Sequence, residues 1–397
     1  MPALPLNDSG NGLGSPSGFL SAHIDNGEAG WYRFSIGWRW SMGERLSRRA
    51  FLGGLGVGTL GLGFGVSVFP GVSEALEEGT HELLMKGTVN FKGFMAKEIT
   101  PNGEFYITTY STTVPDIPED QFSLRVEGLV ETPYALSLRE LEGMMDKREF
   151  VTLECIGNPV GGDAIGNALW EGVTLRKVIE KASPAKGPEK GPERGIVKTV
   201  FYARDGYTDS IPYDLSLSDD VFLAFRMNGE PLPREHGRPV RAIVPGIYVK
   251  WLSKIELVNY DFKGYWEKRG WSDQAVIPIK SQILMPMDGK TIPRGHYVIG
   301  GIAFAGRHGI ERVQISLDDG RSWNDAEVKP PLSRWAWSLW RYDWMPDREG
   351  EFTLKVRGID RAGNVQESAS LIGRLLGRTF PDGSKGIHSV NVTVQGQ

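Results

Sequence analysis

A single cysteine in 397 residues is the first constraint on what this chain can do. One sulfur excludes an intramolecular disulfide, a multi-cysteine zinc site and a cysteine-held iron–sulfur cluster. The 6 histidines (23, 81, 236, 296, 308, 388) show no H-x-x-x-H spacing, and no C-x-x-C-H is present to attach haem. Cationic excess is also missing. With 45 Lys plus Arg against 49 Asp plus Glu and a net charge of -4, there is no electrostatic case for a nucleic-acid partner. What is present, 40% apolar and 24% charged residues, is ordinary for a globular protein, and at ~150 residues per domain it fits two or three domains. Cys155 is therefore either spare or singular.

Near the N-terminus, Ser47-Arg48-Arg49-Ala50-Phe51-Leu52 precedes an uncharged, Gly-rich apolar run from Gly53 to Pro70, then the small residues around Ser73 and Ala75. Basic, apolar and small segments in that order have the layout of an export signal, and paired arginines before a weakly hydrophobic run point to the twin-arginine route. Met42 is suitably placed as an initiator, so 1–41 reads as an extension or mis-called start and 42–78 as the signal. The expected location is periplasmic or otherwise exported. An uncleaved N-terminal membrane anchor is the rival reading, since the run lies at the lower edge of a span. Gly56, Gly58 and Gly61 satisfy G-x-G-x-x-G, but no strand precedes them as a dinucleotide site requires.

From 79 to 275 strand and helix patterns mix. Gln121–Glu127 alternates like a strand, Leu136–Met145 reads as a short helix with Ser137 at its N-cap, and Phe150–Cys155 is a strand running into the turn Gly157-Asn158-Pro159. Val173–Lys181 is a short amphipathic helix, and 183–195, repeating Pro, Gly and charge, is an exposed loop. From 276 to 397 short alternating segments separated by Asp/Gly turns predict an all-β sandwich. Asp319-Gly320 marks a hairpin, and Trp335, Trp337 and Trp340 with Leu339 are core-filling. Ser316–Trp323 also resembles the Asp-box turn of sialidases, a motif that is usually structural.

Three segments carry chemistry. In Leu153-Glu154-Cys155-Ile156-Gly157-Asn158-Pro159-Val160-Gly161-Gly162, a strand delivers the cysteine to a Gly/Pro turn. Its thiol is a small buried hydrophobe, or else a metal ligand or nucleophile. In Asn228–Arg241, followed by Val244-Pro245-Gly246 and Val249-Lys250-Trp251, histidine, arginines and a lysine gather around turns. That set is either a solvated charged loop or a seat for phosphate. In Asp205-Gly206-Tyr207-Thr208-Asp209-Ser210-Ile211-Pro212, a tyrosine in a tight turn caps a core or donates a hydrogen bond in a site.

Together these segments resemble the sulfite oxidase family of molybdenum enzymes, through T-L-E-C-I-G-N-P-V-G-G, N-G-E-P-L-P-R-E-H-G-R-P-V-R and Y-T-D-S-I-P. The tail resembles that family's dimerisation domain through V-Q-I-S-L-D-D-G-R-S-W and W-A-W-S-L-W. The resemblance implies an α+β chain: a mixed sulfite-oxidase-type molybdopterin-binding domain at 79–275, then an all-β immunoglobulin-like sandwich at 276–397. It implies a molybdenum–molybdopterin cofactor with Cys155 as the protein's metal ligand and a two-electron oxygen-atom transfer. Phe105, Tyr106, Asp205, His236, Arg241, Tyr248, Val249 and Lys250 would contact the pterin and its phosphate, and Tyr207 would stand beside the metal's oxygen ligands. A homodimer is implied too. With no haem motif in the sequence, electrons would pass through a separate partner, a c-type cytochrome or a quinone-linked membrane protein.

The chain departs from the family where sulfite oxidases place substrate arginines. Thr108 stands at one such position, Pro159 and Val160 at another pair, and Ile387-His388-Ser389-Val390 at a third. Charge-assisted contacts to a dianion contribute ~1.5–3 kcal/mol each, so losing several disfavours sulfite. The expected substrate is a small molecule less anionic than sulfite, of the S-oxide or N-oxide class. A sulfite dehydrogenase using Arg238 or Arg204 is one alternative, and a non-catalytic exported binding protein that keeps the fold is another.

Overall fold

The computed structural model describes residues 18–21, 35–38, 87–185, 195–244, 246–368 and 379–396. The arginine pair and apolar run of the export signal, and most of the Pro/Gly loop at 183–195, lie outside the described residues. The chain forms two units, Met1–Val72 and Ser73–Gln397. In the first, Gly18–Ser21 pairs antiparallel with Ser35–Trp38.

The second unit is built mainly from strands. One five-stranded sheet runs in the order Thr208–Pro212, Lys198–Ala203, Leu252–Val258, Leu124–Gly128, Tyr134–Leu136. Another runs Ile247–Val249, Arg241–Val244, Phe222–Met227, Ile165–Thr174, Lys147–Glu154, with Glu230–Pro231 paired to Phe222–Met227. Between them lies an apolar core that includes Leu124, Val126, Val173, Leu223, Ala242 and Ile255. The mixed α+β pattern thus appears with few helices. Among the described residues these are Leu138–Gly143, Leu175–Lys181 and the single turn Tyr213–Ser216.

Local chemistry explains where these elements stop. Ser137 caps its helix by a reciprocal pair: Glu140 N donates to Ser137 Oγ (3.3 Å) and Ser137 N donates to Glu140 Oε2 (2.8 Å). The helix expected from Val173 begins only at Leu175, because Val173 and Thr174 still pair with Leu223 and Phe222 in the sheet. At Gly172 an added Cβ would lie 1.8 Å from the Leu223 carbonyl oxygen, so this crossing of strands admits only glycine.

C-terminal to these sheets, eight strands follow one hydrogen-bonded path from Lys280–Met285 to Lys290–Pro293. The path folds over a shared core of Ile283, Ile299 and Trp340 against Ile315, Leu354 and Val392. Asn324–Val328 makes the turn-over, pairing first with Ile310–Ser316 and then with Ser338–Trp344. The Asp319-Gly320 hairpin forms with both residues at positive φ, 63° and 88°. Asp318 accepts from Arg321 N (3.1 Å) and Ser322 N (2.9 Å), a structural turn that also lowers its own pKa to about 2. Trp335 and Trp337 are buried as expected, but outside this core. Trp335 packs with Phe105 and Trp170, and Trp337 with Phe94 and Phe304.

Leu141, fully buried on the Leu138–Gly143 helix, joins that helix to the core between the two sheets. Leu141→Ala is expected to destabilise the protein by ~2–5 kcal/mol, read as a lowered midpoint in urea unfolding monitored by tryptophan fluorescence. Ser137→Ala removes only the cap and should lower the midpoint by much less.

Candidate active site

Cys155 is the first residue beyond the strand Lys147–Glu154, and its backbone N donates to Ala164 O (3.0 Å) while Asn158 N donates to Cys155 O (2.8 Å). This closed turn fixes where the sulfur points. Cys155 is a free, half-buried cysteine, which leaves its sulfur open to a ligand. Burial pushes its pKa up, while the Gly157 N–H and the Thr108 hydroxyl act in the opposite direction by favouring thiolate. Behind it, Glu154 is buried, accepting from Asn158 Nδ2 (3.0 Å) and facing Lys280 Nζ at 3.5 Å. The same turn is clamped from the C-terminal strands: Gln282 Nε2 donates to Gly161 O (3.0 Å) and Ser384 Oγ to Asn158 O (2.7 Å).

One short segment ties the expected residues together. Phe105 sits edge-on to His236 and Trp170 (5.5 and 5.7 Å between ring centres) and stacks on Tyr106 (5.3 Å). At Gly166 an added Cβ would lie 2.7 Å from the Phe105 ring, so glycine leaves the room that the ring occupies. Tyr106 has its phenol pKa raised by burial and then by Cys155 and Tyr248, while nearby Arg241 lowers it. Thr108 reaches the cysteine, and Tyr110 lies against Tyr207 and Tyr265 (5.9 and 4.3 Å between ring centres).

The cationic group expected around Arg241 is assembled as well. Arg241 is 4% exposed, with its guanidinium 4.9 Å above the Trp170 ring and Nη1 donating to His236 O (3.0 Å). Its buried Nε has no partner, and burial lowers its pKa to about 10. Lys250 Nζ donates to Glu235 O (2.9 Å) and lies 4.4 Å over Trp251. Burial, then Arg241, lowers its pKa to about 7. His236 is buried, with Nε2 3.0 Å from Asn102 O; Nε2 therefore donates, and burial with Arg241 lowers the ring's pKa to about 4. Asp205 faces Lys250 and accepts from Tyr207 N (3.0 Å).

Buried positive charge without a carboxylate partner is costly, and an orphaned guanidinium nitrogen shows that the protein does not satisfy it alone. A phosphate-bearing cofactor seated here would do so. Among the described residues no three His, Cys, Asp or Glu side chains converge on a point, so a metal at Cys155 would draw its remaining donors from that cofactor. The residues present therefore fit a pterin dithiolene with a terminal phosphate.

Two expected residues sit differently from the rest. Val249 is fully buried in the apolar core, so only its backbone is available to a ligand. Tyr207 donates its phenol to Asp209 Oδ2 (2.6 Å), and its ring centre lies 5.9 Å from that of Tyr110. Sequence reading missed Trp170, Glu154–Lys280 and Asp209. Asp209 carried a signal: residues two apart on a strand share a face, and Tyr207 and Asp209 are so spaced. Lys280 carried none, because its approach to Glu154 depends on how distant strands pack.

The Oxidoreductase molybdopterin binding domain model matches residues 111–266, and the Mo-co oxidoreductase dimerisation domain model matches 272–380. Sulfite oxidase of Gallus gallus is 33% identical, the match covering 68% of each chain. Mitochondrial sulfite oxidase of Homo sapiens is 31% identical over 68% of this chain and 57% of its own length, so the match spans little more than half of that enzyme. Among solved structures, the sulfane dehydrogenase SoxCD from Paracoccus pantotrophus superposes with a TM-score of 0.61 at 25% identity, covering 73% of this chain and 80% of the other. Taken with the cysteine turn and the phosphate-type cradle, these matches make the chain a molybdopterin oxidoreductase of the sulfite oxidase family.

Proposed function

We propose that this protein is an exported enzyme performing two-electron oxygen-atom transfer on a small substrate less anionic than sulfite, of the S-oxide or N-oxide class. The observation that carries the substrate reading is the surroundings of Cys155. The groups that bear on its sulfur include the Gly157 N–H, the Thr108 hydroxyl, the Glu154 carboxyl and the Tyr106 phenol, none of them a guanidinium. Arg238 reaches toward Asp116 (3.9 Å) at the surface, and Arg204 is exposed. Arg241, the buried arginine, belongs to the phosphate cradle. A pocket so lined offers hydroxyl and backbone donors suited to a neutral oxide rather than charge for a dianion.

When bound, the molybdenum–molybdopterin group supplies the two-electron exchange and the oxygen-atom transfer. The chain's own residues do the rest. Arg241 and Lys250 would hold the phosphate and Phe105 and Tyr106 would flank the pterin, while His236, neutral at physiological pH, presents Nδ1 as an acceptor. Cys155 would supply the protein's sulfur to the metal, with the Gly157 N–H and the Thr108 hydroxyl favouring the thiolate against the burial that opposes it. Tyr248, close to Arg241 and Glu154, would contact the same group, and Tyr207 would stand beside the metal. The reading divides the chain into a catalytic domain at 79–275 and an immunoglobulin-like sandwich at 276–397 through which two copies pair. The sequence's arginine pair supports export, and its lack of a haem motif supports a separate c-type cytochrome or quinone-linked membrane protein as electron partner.

A sulfite dehydrogenase passing electrons to a cytochrome is the second reading, favoured by the sulfite oxidase relatives and by the sulfane dehydrogenase neighbour. Purified protein made with its native signal should contain one molybdenum per chain by elemental analysis, and Cys155→Ala should abolish turnover. Dimethyl sulfoxide and trimethylamine N-oxide with reduced viologen should outrun sulfite with ferricyanide. Rapid oxidation of micromolar sulfite would transfer the assignment to the second reading.

Lys250 gives a further check on the cradle. With its pKa near 7 in the cofactor-free protein, it is mostly charged at pH 6 and mostly neutral at pH 8. Calorimetry should show pyrophosphate binding to cofactor-free protein about tenfold more tightly at the lower pH, by proton linkage. Pyrophosphate's own protonation acts on both proteins alike, so this gain should be lost in Lys250→Met.

A further inference from the structure

Asp209 has no place in the cofactor cradle, yet it is buried and takes the shortest contact made by Tyr207: the phenol donates to its Oδ2 at 2.6 Å. Its other oxygen accepts from Ser210 N at 2.7 Å. Across from it, Glu267 is half-buried, with Oε2 lacking any partner. Gly264 permits that approach, because an added Cβ there would lie 2.4 Å from Glu267 Oε2 and 2.9 Å from Asp209 Cα. Beyond Glu267, Asp273 pairs with Lys198 (3.0 Å) and Lys263 (3.2 Å), which also meet Asp261 at 3.6 and 3.0 Å. A file of oxygen groups thus runs from the tyrosine to a solvated ion-pair cluster.

We propose that Tyr207, Asp209 and Glu267 form a proton relay between the reaction pocket and solvent, with Asp209 as the acceptor of the phenol's proton. The inference rests on the proposed enzyme function, which needs protons to enter or leave a closed pocket. In the step, the phenol O–H bond breaks as its proton passes to Asp209 Oδ2, and the phenol oxygen takes a replacement from pocket water. No electron moves. Asp209 then passes its proton through a bridging water to Glu267, whose Oε2 is unpartnered and free to receive it, and from there to solvent. In the reverse direction the same groups deliver a proton.

The charges facing each member agree with that role. Burial, then Glu267, raise the Asp209 pKa to about 7, Asp273 adds to this, and Tyr207 and Ser210 N oppose it. Burial and Asp273 raise Glu267, against Lys198 and the Gly264 amide. Burial, Asp209, Glu267 and Asp205 keep the phenol protonated. Asp209 therefore exchanges a proton near neutrality, whereas an ordinary aspartate would hold none.

The test uses the molybdenum-loaded protein, with dimethyl sulfoxide and reduced viologen, or sulfite and ferricyanide, as the turnover probe. Oxygen-atom donation to the pocket by an S-oxide consumes protons, so with that probe kcat should fall as pH rises through about 7 and Asp209 loses its proton. With sulfite, where protons leave, kcat should fall below the same pH. Asp209→Asn should lower kcat by ~10²-fold, flatten the profile and leave KM nearly unchanged, and Asp209→Glu should restore part of the rate. Infrared difference spectra should show a protonated-carboxyl band titrating near pH 7 that is missing in Asp209→Asn. Glu267→Gln, which leaves Asp209 in place, should move that titration to lower pH. A carboxyl titrating in the ordinary aspartate range, or an unchanged profile in both variants, overturns the relay while molybdenum content leaves the enzyme reading intact. Absence of molybdenum from the wild-type protein overturns the enzyme reading and the relay with it.

Discussion

The guanidinium of Arg241 is buried over Trp170 with one nitrogen unsatisfied and no carboxylate in reach, and much of this half of the protein is arranged around that fact. A cation–π contact contributes up to ~2 kcal/mol when desolvated, whereas taking a charge out of water costs several kcal/mol. The difference has to come from an anion. Lys250 repeats the argument beside it, held by a backbone carbonyl and an aromatic face rather than by a close salt bridge. His236, neutral and donating to Asn102 O, adds a polar group without adding a third charge. Such a cradle is expensive while empty and stabilising once a phosphate enters, so cofactor binding and folding stability are linked here.

The cysteine turn solves a different problem. A sulfur that is to ligate a metal must be fixed in direction, and the hydrogen bonds around Cys155 and Asn158 do this locally while Gln282 and Ser384 from the C-terminal part hold the outside of the turn. Glu154 lies behind the sulfur as a buried carboxyl balanced by Lys280, a lysine contributed by the strand Lys280–Met285. The electrostatics next to Cys155 therefore depend on packing between distant parts of the chain. Removing Lys280 would leave the carboxyl to protonate or to repel the thiolate.

How far the sequence discloses this varies with the kind of feature. Elements governed by local rules are legible: the Ser137 cap, the Asp319-Gly320 hairpin and the strand that ends at Cys155 all follow from side chains within a few residues. The boundary at Val173 is not, because its apolar spacing suits a helix as well as a strand and only pairing with Leu223 decides the matter. Within the site, Cys155, His236, Arg241 and Lys250 stand out by residue type inside unusual turns. Trp170 and Lys280 do not, being common residues whose roles come from tertiary approach. Val249 is a position inside such a segment whose side chain serves the core, leaving only its backbone to face a ligand.

The proposed substrate preference rests on what surrounds the sulfur rather than on the family as a whole. A dianion in a low-dielectric pocket requires charge close by, since each missing charge-assisted contact forfeits ~1.5–3 kcal/mol. At Thr108 the chain offers a hydroxyl instead, and Val160 is an apolar neighbour of the Glu154–Lys280 pair. His388 is committed elsewhere, accepting from Ile283 N at 3.0 Å and packing on Gly161, with its pKa lowered by burial. It is therefore uncharged at neutral pH and cannot replace an arginine. A neutral oxide needs only a donor at its oxygen and room for its substituents, and a pocket of this composition would take it without the desolvation cost that a sulfite dianion would incur.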